Sequence, residues 1–254
     1  MIFDTHAHYD DAKFDGDRES LLNSMGEAGI GTIVNVSSDI NSWEKVIGLT
    51  EIYPFIYGAI GVHPDEVGQL NEGELSRMEE LLRRDKIVAV GEIGLDYYWD
   101  QESRQVQRYW FIRQLDLARR LGKPVIIHSR EAAADTMEIL KEEGQGLSAV
   151  IHCYSYSTEM AKEYVKMGYY IGVGGVVTFQ NARKLKETVL EIPLESIVLE
   201  TDCPYLAPAP HRGKRNSSRY LTYVAGKIAE LKEVSEEEVI RQTEANAKAL
   251  YRLS

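Results

Sequence analysis

The chain has 254 residues, with 29 Lys and Arg against 40 Asp and Glu, for a formal net charge of −11. A hydrophobic share of 44% and a charged share of 27% exclude a disordered chain, a collagen-like repeat and a small disulfide scaffold. The acidic balance excludes a protein that coats nucleic acid by bulk charge, but not an enzyme that grips phosphate at one local site.

The longest apolar stretches, such as Phe55 to Val62 and Ile171 to Val177, fall far short of the roughly 20 residues that span a bilayer. No basic-then-apolar segment precedes Asp4 and His6, so no secretory signal is expected. Cys153 and Cys203 lie in no CxxC pair, which suits a reducing compartment and predicts a cytoplasmic protein.

Short runs rich in β-branched residues centre near positions 3, 33, 59, 89, 126, 150, 171 and 198. Apolar residues at every position, as in Ile87-Val88-Ala89-Val90, mark strands buried on both faces of a parallel sheet. Helical stripes alternate with them. Leu75, Met78, Leu81 and Leu82 form one, entered from Asn71 with Glu74 three residues on. Trp110, Phe111, Leu115, Ala118 and Leu121 form a longer one, stopped by Gly122 before Pro124. Ser235 caps a last helix whose stripe is Val239, Thr243, Ala247 and Leu250. The pattern predicts an α/β fold, a (β/α)8 TIM barrel forming a single domain over 1–254 with an extra C-terminal helix. The longest stretch without either pattern runs from Pro204 to Ser218.

Five of the six histidines fall at expected strand ends: His6 and His8 after strand one, His63 after strand three, His128 after strand five and His152 after strand six. Glu92 closes strand four, and Glu200 and Asp202 close strand eight. In a βα barrel such ends converge on the face that holds the active site. Imidazole and carboxylate together suit a divalent metal. Glu200 and Asp202 share a strand orientation, so one is expected to be a ligand and the other to lie behind it. His211 sits outside the pattern and reads as a surface residue, and the cysteines read as small buried hydrophobes.

Phe3-Asp4-Thr5-His6-Ala7-His8, Gly61-Val62-His63-Pro64, Gly91-Glu92-Ile93-Gly94-Leu95-Asp96, His128-Ser129-Arg130, His152-Cys153-Tyr154-Ser155, Glu200-Thr201-Asp202-Cys203-Pro204-Tyr205-Leu206 and Arg212-Gly213-Lys214-Arg215-Asn216 occur in that order. Together they resemble the TatD family of metal-dependent hydrolases, a TIM-barrel branch of the amidohydrolase-like enzymes that includes deoxyribonucleases. The resemblance implies two divalent ions: His6, His8 and Asp202 on one, His128 and His152 on the other, and Glu92 bridging. Tyr154-Ser155-Tyr156 stands where the family usually has Phe-Ser-Gly, and Asn216-Ser217-Ser218 where it has Asn-Glu-Pro.

The activity implied is cleavage of DNA phosphodiesters, with 3′-to-5′ exonuclease action on single strands as the expected mode. Asp202 would accept the proton of the attacking water, and His63 would donate to the phosphate or the leaving oxygen. Arg130, Arg212, Lys214 and Arg215 are candidate phosphate grips. Tyr154, Tyr156 and Phe179 are candidates for base stacking or for core packing. Imidazole-rich ligation favours Zn²⁺, Mn²⁺, Co²⁺ or Ni²⁺, while relatives also work with Mg²⁺. DNA is the expected partner, with no membrane and no obligate protein partner. The alternatives are a two-metal hydrolase of another ester or amide bond, and a non-catalytic nucleic-acid-binding barrel.

Overall fold

Strands form where apolar residues occupy every position. The computed structural model describes residues 1–99 and 101–253. Its strands are β1 (Ile2–Ala7), β2 (Ile30–Val36), β3 (Ile56–Ile60), β4 (Ile87–Asp96), β5 (Val125–Arg130), β6 (Ala149–Ile151), β7 (Tyr170–Val173) and β8 (Ile197–Leu199). All eight expected centres fall inside them. The helices are α1 (Arg18–Asn23), α2 (Trp43–Ile52), α3 (Glu72–Leu82), α4 (Arg104–Leu121), α5 (Ala133–Glu143), α6 (Thr158–Lys166), α7 (Arg183–Glu191), α8 (Leu221–Lys232) and α9 (Glu236–Tyr251). One eight-stranded sheet holds the strands in the order β1 to β8, and Ala7 bridges in parallel to Cys203 just after β8. This is the strand order of a (β/α)8 barrel, with α9 as the extra C-terminal helix.

The caps read from the sequence are present. Asn71 accepts from the backbone N–H groups of Gly73 and Glu74 at the start of α3. Gly122 ends α4 in the left-handed region at φ 64°, and Ser235 accepts from Glu238 N–H at the start of α9. The stretch expected to be loop, Pro204 to Ser218, holds no helix or strand until Ser218, where a 3-10 turn over Ser218–Tyr220 begins.

Chain contacts divide the protein into two compact units, Met1–Asn35 with His152–Ser254, and Val36–Ile151. In the first, Phe3, Phe14, Leu22, Met25, Tyr164 and Leu250 are buried. In the second, Trp43 is fully buried and its indole N–H donates to the Gly61 carbonyl at 2.9 Å, so the polar end of the ring is satisfied in the core.

Three strands extend further than their apolar runs suggest. β1 includes His6, β5 includes His128, and β4 continues past Glu92 to Asp96. Backbone pairing carries on where the side chains turn polar: Gly94 faces His128, Leu95 faces Ser129 and Asp96 faces Arg130. Gly94 makes this possible. It lies at φ +147°, and a Cβ there would collide with the His128 carbonyl oxygen. Gly94→Ala is expected to cost about 2–3 kcal/mol and lower Tm by roughly 5–10 °C, read by thermal unfolding. An unchanged Tm would show that β4 and β5 do not need this close approach.

Candidate metal centre

The first unit builds its donor set on β1 and the segment after β8. The backbone N–H groups of Thr201 and Asp202 both donate to the His6 carbonyl, at 3.3 and 2.9 Å. Beneath them the buried Asp4 accepts from Ser218 Oγ at 2.6 Å, Thr201 Oγ1 at 2.7 Å, Thr201 N at 3.0 Å and His6 N at 3.2 Å. Burial pushes the Asp4 carboxyl up to about 7, against the lowering effect of the Ser218 and Thr201 hydrogen bonds. Asp4 thereby ties β1 to the strand-eight segment and to the end of the long loop.

Asp202 itself lies at φ 54°, a left-handed conformation that Asp tolerates better than most side chains. The turn places its Oδ1 3.3 Å from His8 Nε2 and 3.9 Å from His6 Nε2. The two imidazole Nε2 atoms are 3.0 Å apart, and the His152 ring stacks on His6 at 3.8 Å. Burial raises the Asp202 pKa, but the His8 hydrogen bond and the neighbouring His152, His8 and His6 rings hold it below the usual carboxylate range. His6, His152 and Asp202 each offer a donor atom within 4.8 Å of the others. Two imidazoles and a carboxylate fit one divalent ion with an open position.

Glu200 takes the other place. It is 1% exposed, its Oε1 accepts from Cys153 N at 2.5 Å, and its Oε2 lies 3.5 Å from His152 Nδ1. A Cβ on Gly172 of β7 would run into this carboxylate, so the glycine leaves its space. Of the two carboxylates, Asp202 stands beside the three donor imidazoles and Glu200 behind His152. Cys203 is buried as expected, whereas Cys153 is half-buried at φ 47°.

The second unit holds a separate set. His128 Nδ1 is 2.6 Å from Glu92 Oε1, and its Nε2 is 3.0 Å from Asp96 Oδ2. His63 Nε2 lies 3.9 Å from Glu92 Oε1, and its ring meets that of His128 at 4.3 Å. His63 Nδ1 accepts from Asp65 N at 3.2 Å, so a neutral ring carries its proton on Nε2. His63, Glu92 and His128 form one possible ligand group, and His63, Asp65 and Asp96 another. Burial and the nearby Asp96 push the Asp65 carboxyl up to about 6. Burial also acts to raise Asp96, but the His128 hydrogen bond and backbone donors hold it low. Asp65 and Asp96 were not singled out from the sequence. The signal was available for Asp96, because four residues after Glu92 on an extended strand puts both side chains on one face.

The expected substrate contacts are placed unevenly. Arg130 is exposed, with its guanidinium carbon 4.0 Å over the Tyr98 ring. Arg212 is exposed and lies 4.5 Å over Phe179. Arg215 departs from the expectation: its guanidinium grips both Asp17 oxygens, at 2.7 and 2.5 Å, and the Lys13 carbonyl at 2.7 Å. That fork is already filled, and it pins the loop to the N-cap of α1. Tyr154 follows the core-packing alternative, being 3% exposed with its hydroxyl donating to the Ser157 carbonyl. His211 stacks on Tyr220 at 4.1 Å, outside either donor set.

Imidazole and carboxylate donors at the strand ends of a (β/α)8 barrel define a metal-dependent hydrolase. The chain belongs to the TatD related DNase family, which matches residues 3–252. It is 44% identical over 255 residues to the uncharacterized metal-dependent hydrolase YabD of Bacillus subtilis, covering 100% of both chains. It is 36% identical over 259 residues to the uncharacterized metal-dependent hydrolase TatD of Mycobacterium tuberculosis, covering 99% of this chain and 98% of that one. The crystal structure of YjjV, a TatD homologue from Escherichia coli K12, superimposes with a TM-score of 0.93 at 32% identity, covering 100% of this chain and 98% of that chain. Among the described residues no helix is long and apolar enough to cross a membrane.

Proposed function

We propose that the chain, as one hydrolase domain over 1–254, is a cytoplasmic deoxyribonuclease that removes nucleotides from single-stranded DNA in the 3′-to-5′ direction. The observation that carries this reading is the pair of imidazole-and-carboxylate donor sets, His6, His152 and Asp202 in one unit and His63, Glu92 and His128 in the other. Membership of a family described as TatD related DNase supports DNA as the substrate class. Of the expected ligands, His6, His8, His152 and Asp202 would hold divalent metal in the first unit, and Glu92 and His128 in the second. Such ions, from Zn²⁺, Mn²⁺, Co²⁺, Ni²⁺ or Mg²⁺, would supply Lewis acidity toward the phosphoryl oxygens and lower the pKa of water. Asp202 orients the attacking water and takes its proton, which suits a carboxylate held ionised by its histidine neighbours. His63 presents Nε2–H to the leaving oxygen. Arg130, exposed at the end of β5, and Arg212, exposed in the loop after β8, contact phosphates.

The second reading is hydrolysis of another ester or an amide by the same donor sets, since the relatives named above are described only as metal-dependent hydrolases. One experiment separates the two. Metal content is measured on the purified protein, and chelated and metal-restored samples are then given end-labelled single-stranded DNA, duplex DNA, RNA, simple esters and amides. Chelator-sensitive shortening of single-stranded DNA from its 3′ end is the expected result. A metal-restored sample that cleaves esters or amides and leaves DNA and RNA intact overturns the nuclease reading.

A further inference from the structure

Immediately beyond the donors of the second unit, β4 and β5 lead into two exposed aromatic rings and an arginine. Tyr98 and Trp99 are each 55% exposed, and their rings meet edge to face at 4.9 Å. The guanidinium carbon of Arg130 sits 4.0 Å over the Tyr98 ring and 5.3 Å from that of Trp99. The pairing of Asp96 with Arg130 and the hydrogen bond from Tyr97 N to the Arg130 carbonyl at 2.9 Å fix the arginine beside this turn.

Asp96 organises the turn and the donor set together. Its Oδ1 accepts from Tyr98 N at 2.9 Å and Trp99 N at 3.1 Å, while its Oδ2 is the partner of His128 Nε2 at 3.0 Å. The turn that carries the rings is therefore held at a fixed offset from His128. Trp99 stands apart from the other two tryptophans, Trp43 and Trp110, which are buried. Arg130, like Arg104 over Tyr97, stands outside the ion pairs among the described residues of its unit. Arg77, Arg84, Arg108 and Arg113 of the same unit each pair with a carboxylate, whereas Arg130 has no ion pair among the described residues.

An exposed π-surface beside a guanidinium that makes no ion pair among the described residues matches a flat aromatic ring that carries an anion. We infer that Tyr98, Trp99 and Arg130 form a stacking platform for one nucleobase of the bound strand, with the Arg130 fork turned to an adjoining phosphate. Bases stack on aromatic rings and on guanidinium planes alike, and such stacking tolerates any base. The inference rests on the nuclease reading and deepens it. The platform would seat a base next to the phosphodiester presented to His128 and Glu92, so a strand lacking that base binds without this contact.

The test uses metal-loaded protein with an uncleavable phosphorothioate oligothymidylate, and an abasic strand of the same length and linkage. With Trp43 and Trp110 buried, acrylamide quenching of tryptophan emission reports chiefly on Trp99. The expected result is that oligothymidylate shields Trp99 and binds about tenfold more tightly than the abasic strand, the scale of one base–aromatic stack. Trp99→Ala should remove that preference and Trp99→Phe should keep it. Equal affinity for the two strands, or no shielding, overturns the platform. If DNA is still cut in that case, the nuclease reading stands without it. Shielding by oligothymidylate in a protein that cuts no DNA supports the platform as a binding site and overturns the nuclease reading.

Discussion

Asp202→Asn is expected to keep the fold and most of the metal while lowering turnover by about 10²–10⁴-fold, the usual worth of a positioned proton acceptor. The substitution keeps the size of the side chain and one carbonyl-type oxygen, so a donor atom remains near His8 and His6. It removes the negative charge that the surrounding histidines hold ionised and leaves an amide that accepts no proton. The left-handed backbone at this position is as accessible to Asn as to Asp, which keeps folding out of the comparison. Glu200→Gln is the matched control. Glu200 lies behind His152 and also holds Cys153 N–H, so its loss should act through the set of the imidazole and cost about 10–100-fold. Metal content and turnover measured on both variants decide the matter. Asp202→Asn activity within a few-fold of the parent, or a larger loss for Glu200→Gln, would reverse the roles of the two carboxylates.

The positions of these groups were legible to different depths. Strand centres were, because residues buried on both faces leave unbroken apolar runs such as Ile87 to Val90 and Val125 to Ile127. Strand ends were not. Ladder hydrogen bonds between backbones continue through Gly94 and His128 whatever the side chains do, so polarity is a poor marker of where β4 and β5 stop. The histidines stood out by their recurrence at strand ends, but Asp96 resembled any strand-terminal carboxylate until its contact with His128 was visible. Separating Glu200 from Asp202 needed the left-handed turn at Asp202, which alternation along an extended strand does not anticipate. Arg215 misled for a related reason. A basic loop looks the same whether its charges face solvent or are consumed by a carboxylate such as Asp17, nearly two hundred residues earlier in the chain.

Glu92→Gln should produce the broadest defect, with reduced metal occupancy and a fall in turnover of roughly 10²–10³-fold on every substrate, on the scale of losing one preorganised charged group. Glu92 is 4% exposed, and its Oε1 lies 2.6 Å from His128 Nδ1 and 3.9 Å from His63 Nε2. A glutamine there keeps the volume but presents a neutral amide to two imidazoles, and it carries no charge to offset that of a divalent ion. Asp96 still holds His128 from the other side, so the ring should keep its place and the defect should be one of charge and ligation. The measurement is metal content after dialysis against a weak chelator, paired with turnover of single-stranded DNA and of a small phosphodiester. Parallel loss of metal and of both activities is the expected pattern. Full metal occupancy with loss confined to DNA would mean that Glu92 contacts the strand and holds no ion.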